Sequence, residues 1–504
     1  MKECDVLFIG YAANQSSGGF SDKSFKFLDT SDAKYLYNNC FLDTYCVEPM
    51  AFMQLAAELE KKGFSVEVVD GLILRYDKEQ LIKEINKIAA KVVSISIYES
   101  TKNDIYDIAN YLKRTRPNIK ITSGGPYGTI EADRILKECA DIDYIVVGDG
   151  DAALPCLVET IFNNGELSEV PNLFYRENGI IKSTKAECVD INTICRPKRL
   201  YSDIIKQNNY AFAISASRGC GYAACGFCYL RKYQRIGNQP KFRFKNANLV
   251  YDEIVELIDK LGIDKLSFTD EDFFGNMRGI ERAVELFDML ISSKIRISLH
   301  VNARVNTILY LIRNNLLEKC KLAGVDYMYV GLESYNDRIL AQYDKGITVA
   351  KIDEVVEALD KYDIRINPGL ITFDPSITVE EVKRNIDLFR KIKYYDAFIF
   401  TRRLVFYPES SDKVSELKNE SSYFVSEQTD MLFKTMEKYV GMVFPWFLKL
   451  NRDISTDELC RKIIDNHFNL FYEAYSSILS NKECWSLVDK YSSSTIQMIE
   501  ECLG

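Results

Sequence analysis

The first 165 residues alternate short apolar runs with amphipathic stretches. Runs such as DVLFIGY (5–11) and VVSISIY (92–98) predict buried strands, and the stretches between them carry apolar residues at helical spacing. This strand–helix alternation is typical of a parallel, doubly wound sheet. Such sheets bind ligands beyond the carboxyl ends of their strands. We therefore predict an α/β, Rossmann-like domain over residues 1–165, with a ligand site at that edge.

The same alternation returns on a second core after a predicted linker, residues 166–210, which contains the hairpin-like LFYRENGIIKST. Six strands are predicted there, at AFAISAS, DKLSFTD, RISLHVNAR, VDYMYVGLE, IRINPGLITF and DAFIFTRRLVFY. Strand–helix units in this number predict a partial (β/α)6, TIM-like barrel over residues 211–411. Residues 412–504 are helical in pattern and predict a C-terminal helical domain.

Alternation within the predicted barrel strands indicates which side chains point into the lumen. The polar positions of RISLHVNAR share one face: Ser298, His300, Asn302 and Arg304. In VDYMYVGLE, Tyr327 and Tyr329 share the equivalent face. We predict His300, Tyr327 and Tyr329 as lumen-facing candidate catalytic residues, with simple filling of the lumen as the alternative.

Charge and hydropathy exclude several classes of function. The chain has 504 residues, 64 of them basic and 73 acidic, giving a net charge of −9. This balance provides no general attraction to nucleic acid or to an anionic membrane. No apolar run reaches the ~18 residues of a membrane-spanning helix, and the first apolar run is too short for a signal peptide. We predict a cytoplasmic protein.

Three of the fourteen cysteines cluster in SRGCGYAACGFC (217–228), at Cys220, Cys225 and Cys228. Thiols stay reduced in the cytoplasm, so a disulfide framework is not expected. The loop follows a predicted strand and therefore lies at the carboxyl mouth of the barrel. Three thiolates can hold a [4Fe–4S] cluster and leave its fourth iron open. The alternative is a zinc knuckle with a distant fourth ligand, in a non-enzymatic scaffold or sensor.

The cysteine loop resembles the signature of the radical S-adenosylmethionine (SAM) enzymes. The usual pattern is C-x3-C-x2-C with an aromatic residue before the last cysteine; here the first gap has four residues, and Phe227 holds the aromatic place. FTDEDFF (268–274) resembles the family's second-strand acidic motif, which implies that Asp270 and Glu271 hold the amino group of SAM. A carboxylate suits an ammonium group.

Further motifs of this family follow in order. Arg304 ends an inward-facing strand, and the resemblance implies that it binds the carboxylate of SAM. GLESYNDRIL and YDKGIT (331–348) resemble the family's G-[IL]-E-S and K-G-x-T stretch. This implies that Glu333, with Ser334 beside it, contacts the ribose or the methionyl end of SAM.

The N-terminal domain resembles the cobalamin-binding domain of one large (class B) group of radical SAM enzymes. The similarity lies in VVSIS, ITSGGPYGT and YIVVGDGDAALPCLVE, where Asp149 and Asp151 replace two glutamates of the family's pattern. It implies a set of cobalamin-binding residues: Ser94, Tyr98, Gly124, Gly125, Gly148 and Gly150. The D-x-H-x-x-G motif is missing and no histidine precedes His300, which predicts base-off, His-off cobalamin. A domain that has lost its ligand is the alternative.

The resemblance implies a cobalamin-dependent radical SAM enzyme that reductively cleaves SAM to a 5′-deoxyadenosyl radical. We predict methylation of an unactivated carbon or phosphorus in a small molecule or a peptide, with electrons supplied by a donor such as flavodoxin or ferredoxin. Cyclisation or rearrangement with the same cofactors is the alternative. Methylthiotransfer would need a second N-terminal cluster and a basic β-barrel tail, whereas this tail is helical and not basic. Arg402 and Arg403 are candidates to meet an anionic substrate.

Overall fold

The computed structural model describes residues 2–11, 48–74, 76–207, 211–392, 394, 399–404, 423–447 and 457–503. These residues form two compact units, which divide the predicted barrel between them. The first unit holds the described residues up to 223 together with residues 229–286. The second unit holds residues 224–228 and the described residues from 287 onward.

The first unit is built on a seven-stranded sheet with the order β2-β1-β3-β4-β5-β6-β7. Its strands are β1 Lys2–Gly10, β2 Val66–Asp70, β3 Ile88–Ser96, β4 Lys120–Gly124, β5 Tyr144–Val146, β6 Leu173–Glu177 and β7 Ile180–Ser183. The first five run parallel, which confirms the predicted Rossmann-like arrangement. The β6–β7 hairpin, expected within the linker, adds two antiparallel strands to this sheet.

Helices cover this sheet and continue into the rest of the first unit. They are α1 Met50–Lys61, α2 Lys78–Ile85, α3 Lys102–Thr115, α4 Gly125–Ile130, α5 Ala132–Glu138, α6 Gly150–Asn163, α7 Ser202–Gln207, α8 Leu230–Ile236, α9 Ala247–Leu261 and α10 Met277–Ser292, with single 3-10 turns at Glu99–Thr101 and Leu167–Glu169. The spacing of Ile105, Ile108 and Leu112 places all three on the buried face of α3. They join Val93 and Ile95 of β3 in one apolar core.

The apolar spacing of KEQLIKEINKIAAK (78–91) predicts one helix, and the helix that forms there is shorter. It ends at Ile85, and β3 already begins at Ile88, because residues 88–95 pair along β1. The start of α2 follows the expected chemistry. Asp77 accepts a hydrogen bond from the backbone N–H of Gln80, whose side chain bonds back to the Asp77 N–H, and this capping box satisfies two N–H groups that the helix cannot.

Four shorter strands complete the first unit: β8 Phe212–Ile214, β9 Ser217–Gly219, β10 Phe242–Phe244 and β11 Lys265–Phe268. β8 and β11 pair in parallel, as barrel strands do. β9 and β10 form a separate antiparallel ribbon in which Arg218 lies opposite Arg243. The run AFAISAS is therefore not one strand reaching the cysteines, because the chain leaves β8 at Ile214 and enters the ribbon before Cys220.

The second unit contains β12 Ser298–Arg304, β13 Val325–Glu333 and β14 Arg365–Leu370, all parallel and in the order β14-β13-β12. Its helices are α11 Val305–Arg313, α12 Leu317–Leu322, α13 Asp337–Gln342, α14 Val349–Lys361 and α15 Val379–Lys391. Every second residue of β12 is buried, as its sequence predicts. Of the predicted sixth strand, the described residues 399–404 contribute one parallel bridge, between Phe373 and Arg403.

Three helices follow in the second unit and confirm the predicted helical C-terminal region. They are α16 Glu427–Phe447, α17 Asp457–Leu479 and α18 Trp485–Leu503. The Tyr472 hydroxyl of α17 donates to the Asp387 carboxylate of α15 at 2.6 Å, which ties this region to the barrel half. Among the helices that the structure describes, none is long and apolar enough to cross a membrane.

Candidate active site

The cysteine loop begins in the first unit with Cys220 and ends in the second with Cys225 and Cys228. The Cys220 N–H donates to the Lys241 carbonyl at 2.9 Å and so prolongs the β9–β10 ribbon. The Cys228 N–H donates to the Cys225 carbonyl at 3.2 Å, which folds the second half of the loop into a tight turn. All three cysteines are partly exposed.

These thiols fit the donor set of an iron–sulfur cluster, because they are soft ligands and are accessible. Within the described ranges, no group of three or more His, Cys, Asp or Glu side chains could hold a single metal ion. A cubane cluster makes a different demand, since each of its thiolates binds a different iron.

The first half of the loop is seated closely on the segment that follows β11. A Cβ added to Gly221 would lie 2.1 Å from the Gly275 carbonyl oxygen, so only glycine fits there. One oxygen of Asp272 accepts from the Gly221 N–H at 3.3 Å and from the Cys220 thiol at 3.7 Å. Ala223, in the gap that is one residue longer than usual, adopts a left-handed backbone with φ 45°.

Phe227 supports the second half of the loop. Its ring meets the ring of Tyr343 edge-on at 5.1 Å, and the neighbouring Gly226 N–H donates to the Tyr343 carbonyl at 2.9 Å. The Tyr343 hydroxyl in turn donates to Asp374 at 2.8 Å. Burial, followed by the charge of Asp374, raises the pKa of Tyr343 well above its usual range, so the hydroxyl remains a donor.

Asp270 and Glu271, predicted together, occupy different environments. Asp270 is buried and accepts from the Ala216 N–H at 3.1 Å, where the chain leaves β8. Burial raises its pKa to about 6, against the hydrogen bond from Ser217 and the charge of Arg282. Glu271 is exposed, and one of its oxygens accepts from the Gly219 N–H at 3.0 Å, just before Cys220. This accessibility makes Glu271 the better placed of the two to meet an ammonium group.

Glu333 combines strain with charge at the carboxyl end of β13. Its backbone is left-handed, with φ 63°, at an irregularity in the β13–β14 pairing. Such a conformation is rare for a residue with a side chain and is concentrated at functional sites. The Lys345 ammonium lies 2.6 Å from the Glu333 carboxylate, and this pair is largely buried. Lys345 belongs to the YDKGIT motif, a signal that could have assigned it a role.

Arg304 and Ser334 lie at the same end of these strands as Glu333. Arg304 is the last residue of β12, level with Gly331 of β13. The hydroxyl of Ser334 is fully buried and bonds to the side chain of Asn385 at 3.3 Å. Asn385 also accepts from the Tyr335 N–H at 2.7 Å, so this amide holds the turn after Glu333. The predicted contacts of Arg304 and Ser334 with SAM stay predictions.

The predicted cobalamin residues lie along the carboxyl edge of the seven-stranded sheet. Ser94 of β3 is level with Thr122 of β4, and Gly124 follows on the same face. The Thr122 hydroxyl is buried without a hydrogen-bond partner, and Gly125 has a left-handed φ of 85°. Tyr98 is 45% exposed just beyond β3. A glycine-lined edge with an unsatisfied hydroxyl fits a large ligand that approaches the backbone closely. Residues 12–19 of the GYAANQSSGG loop lie outside the described residues.

Gly148 and Gly150 lie on either side of Asp149, in a loop of the first unit that contacts α8 and the β9–β10 ribbon. The Gly148 carbonyl accepts from the Tyr233 hydroxyl at 3.0 Å, and a Cβ on Gly148 would lie 2.9 Å from the Gly237 Cα. Asp149 pairs with Arg218 and Arg243. Burial raises the pKa of Asp149, but the Arg243 hydrogen bond and the charges of both arginines outweigh it and hold the pKa below its usual value.

The two arginines had no predicted role. Arg218 stands in the SRGC stretch, but its charge would have been assigned to solvent without knowledge of β9. Arg243 carries no local signal, because only the β9–β10 register brings it opposite Arg218.

The three lumen candidates differ in their position along the strands. His300, Tyr327 and Arg365 are level with one another, near the amino ends of their strands. The His300 and Tyr327 rings lie 5.0 Å apart. Tyr329 lies further along β13, and its hydroxyl would be 2.5 Å from a Cβ on Gly369. Of the three residues, Tyr329 therefore lies closest along the paired strands to Arg304 and Glu333.

The two arginines considered for an anionic substrate have partners of their own. Arg402 donates to the Pro368 carbonyl at 3.2 Å and stacks over Phe389 and Tyr394. Arg403 lies over the rings of Tyr423 and Phe433. Both guanidinium groups are therefore engaged in cation–π contacts, and their contact with an anionic substrate stays a prediction.

Comparison with known families gives two matches in the predicted order. Residues 43–158 match the B12 binding domain, and residues 214–389 match the radical SAM superfamily. Among curated proteins, an uncharacterized methyltransferase, PH0819 of Pyrococcus horikoshii, is 27% identical over 349 residues, covering 68% of this chain and 73% of the relative. An anaerobic magnesium-protoporphyrin IX monomethyl ester cyclase of Synechocystis sp. is 23% identical over 69% of this chain and 68% of its own length.

Solved structures share the fold at lower identity. The cobalamin-dependent SAM radical enzyme OxsB, with aqua-cobalamin and SAM bound, superposes with a TM-score of 0.71 at 15% identity, over 99% of this chain and 79% of OxsB. The radical SAM methyltransferase TsrM of Kitasatospora setae, with cobalamin and a [4Fe–4S] cluster bound, gives a TM-score of 0.58 at 16% identity, over 78% of this chain and 74% of TsrM.

Proposed function

This chain is a radical SAM enzyme that carries a B12 binding domain, and from that premise we propose that it methylates an unactivated carbon or phosphorus of a small molecule or peptide. Its cofactors are a [4Fe–4S] cluster, SAM and cobalamin. The relatives named as methyltransferases, PH0819 and TsrM, support methyl transfer, and a hopanoid C-3 methylase of Methylococcus capsulatus, 22% identical over 68% of this chain, adds to them.

One observation carries the proposal. Within the first unit, the Gly148–Asp151 loop of the B12-type sheet is bonded directly to the strand that leads into Cys220. A corrinoid at the sheet edge and a cluster at the cysteine loop would then be neighbours. When bound, the cluster supplies the electron that cleaves SAM, and cobalamin supplies a carrier for the methyl group.

The protein's own residues bind and orient these groups. Cys220, Cys225 and Cys228 would hold three irons, and Phe227 with Tyr343 supports their loop. Glu271 offers a carboxylate beside Cys220 for the ammonium of SAM. At the carboxyl ends of β12 and β13, Arg304 and Glu333 are candidates for its carboxylate and ribose. Ser94, Tyr98 and the glycines of the sheet edge would hold the corrinoid without an imidazole ligand, since no histidine precedes His300.

The names of other relatives point to two further reactions, ring formation and methylthiotransfer. The cyclase relatives support ring formation as the second candidate. Methylthiotransferases also share sequence with this chain, at 22% identity for a putative enzyme of Methanocaldococcus jannaschii. We place the protein in the cytoplasm, where a reduced flavodoxin or ferredoxin would donate the electron.

The test is anaerobic reconstitution with iron and sulfide, followed by hydroxocobalamin, dithionite and SAM carrying a deuterated methyl group. We expect formation of 5′-deoxyadenosine and retention of cobalamin after desalting. The Cys225→Ala variant should lose SAM cleavage and keep cobalamin. Cys156→Ala, in which the altered thiol lies in α6 of the B12-type domain, is the matched control and should keep both.

Each outcome separates the candidates. A deuterated methyl group on a compound from an extract of the cells that make this protein would establish methylation. An unlabelled cyclic product would favour ring formation. Cleavage without bound cobalamin would keep the radical enzyme and rule out methyl transfer by way of cobalt. If the protein held zinc in place of a cluster and did not cleave SAM, the non-enzymatic scaffold or sensor would be the remaining interpretation.

A further inference from the structure

Four charged side chains join the B12-type sheet to the cysteine-bearing ribbon. Arg218 makes a bidentate pair with Asp151, at 2.6 and 2.9 Å, and a single bond to Asp149 at 3.0 Å. Arg243 makes a bidentate pair with Asp149, at 2.5 and 2.8 Å. The two positive and two negative charges balance. We call these four residues the charge cluster.

The charge cluster is protected from solvent. The side chains of Asp149 and Asp151 are 2% and 5% exposed, and that of Arg243 is 12% exposed, whereas Arg218 keeps 27%. Bidentate pairing of a guanidinium with a carboxylate fixes direction as well as distance. Removing one partner of such a pair leaves a buried charge without compensation.

Each side of the charge cluster belongs to a different cofactor loop. Asp149 and Asp151 flank Gly150 at the start of α6, in the loop that follows β5. Arg218 and Arg243 are opposite one another on β9 and β10, where two like charges would repel without the aspartates. The Gly219 N–H donates to the Glu271 carboxylate, and the Cys220 N–H donates to the Lys241 carbonyl. Cys220 is thus bonded to the same ribbon as Arg218 and Arg243, and the coupling proposed below uses this connection.

We propose that the charge cluster couples the two cofactor loops, with Arg218 as a positioning residue that transmits the state of the Gly148–Asp151 loop to Cys220. This rests on the proposed function. Corrinoid bound at the sheet edge then changes the affinity for SAM at the cluster, and SAM changes the affinity for the corrinoid by the same factor, because coupling between two sites is reciprocal.

The test compares SAM affinity with and without hydroxocobalamin, measured by isothermal titration calorimetry on anaerobically reconstituted protein without a reductant, so that SAM is bound and not cleaved. In the wild type we expect cobalamin to change the Kd for SAM by about fivefold or more, the lower end of ordinary coupling. The double variant Asp151→Asn/Arg218→Met removes one charge of each sign and leaves the Asp149–Arg243 pair balanced. It should fold, keep iron and cobalamin, and bring the factor to about one.

Controls separate coupling from structure. The matched control is Lys198→Met, which removes an exposed ion pair with Glu60 on the same domain and should keep the wild-type factor. The single variant Arg218→Met should lose coupling too, together with stability. If the charge cluster were only structural, its variants would have a lower melting temperature and lower cofactor loading. In the protein that is loaded, cobalamin would still change the Kd for SAM by the wild-type factor.

Two failures are distinguishable. Wild-type protein that binds cobalamin and SAM with no mutual effect would overturn this inference and leave the proposed function intact. Wild-type protein that binds no cobalamin would overturn the cobalamin-dependent function, and the coupling with it. Coupling that survives in the double variant would assign transmission to other contacts of the loop.

Discussion

At the carboxyl end of β13, Glu333 adopts a left-handed backbone and faces the Lys345 ammonium in a largely buried pair. At the amino ends of the same strands, polar side chains also gather, but the ion pair there is more exposed. Ser298 donates to Asp326 at 2.8 Å, and Arg365 pairs with Asp326 at 3.6 Å with two thirds of its side chain exposed. Both ends of these strands therefore carry charged side chains.

The difference indicates which end of the strands is built to bind a ligand. A strained backbone and a buried charge persist only when surrounding structure holds them in place. In the first unit, the carboxyl-end segments are held as firmly, by the close approach of Gly221 and Gly275. Polarity alone does not distinguish the two ends, whereas burial and close packing do. Substitutions at the carboxyl end should therefore cost far more activity than those at the amino end.

The largest effect should come from Gly221→Ala. The new methyl group would meet the Gly275 carbonyl oxygen at 2.1 Å, and displacing that backbone moves Cys220. We expect less cluster iron and a loss of SAM cleavage of about a hundredfold, the cost of misplacing reacting groups by about 1 Å. Iron content and 5′-deoxyadenosine formation measure both.

The matched control is Gly441→Ala in α16, where an added methyl group meets nothing within 4 Å. Helix propensity should make this variant about 0.5–1 kcal/mol more stable, with cleavage unchanged. If Gly221→Ala also kept its iron and its activity, the cysteine loop would not depend on its seat against Gly275.

The second effect is that of Glu333→Gln, which keeps the size of the side chain and removes its charge. Loss of a charged hydrogen bond costs about 1.5–3 kcal/mol, so SAM affinity should fall by about tenfold to a hundredfold. Isothermal titration with SAM measures this. Arg313→Gln, in a distant exposed pair with Glu354, is the control and should leave affinity unchanged. An unchanged Kd in Glu333→Gln would reduce Glu333 to a structural partner of Lys345.

The strand periodicity was sufficient to predict which segments form the core strands, and the cysteine spacing was sufficient to identify the candidate cluster loop. The burial pattern of β12 follows the alternation in RISLHVNAR, and the parallel order of β1–β5 follows the strand–helix alternation. Long-range register was not predictable. Nothing local distinguishes Asp270 from Glu271, and only the fold buries the first and exposes the second. Nothing local places Arg243 opposite Arg218 either, because the cysteine loop and α8 lie between β9 and β10 in the sequence.

A third, smaller effect concerns Asp270 and is seen in stability. Its pKa is raised from 3.8 to about 6, so between these values the folded protein holds a proton that the unfolded chain releases. The free energy of unfolding contributed by Asp270 therefore falls as pH rises from about 4 to about 6, and stays constant above that range. Asp270→Asn does not titrate. The stability of the wild type relative to this variant should decrease across that window in chemical denaturation, and a flat difference would contradict the raised pKa.

The smallest effects should come from the candidates at the amino ends of the strands. His300→Gln and Tyr327→Phe should change SAM cleavage by no more than about twofold, the equivalent of ~0.5 kcal/mol. Tyr329→Phe, closer to Glu333 and packed over Gly369, loses a hydroxyl worth about 1 kcal/mol and should reduce cleavage about fivefold. The measurement is the rate of 5′-deoxyadenosine formation at equal iron content. A larger loss in His300→Gln than in Tyr329→Phe would reverse the gradient and place a reacting group at the amino end, where the more exposed ion pair argues against one.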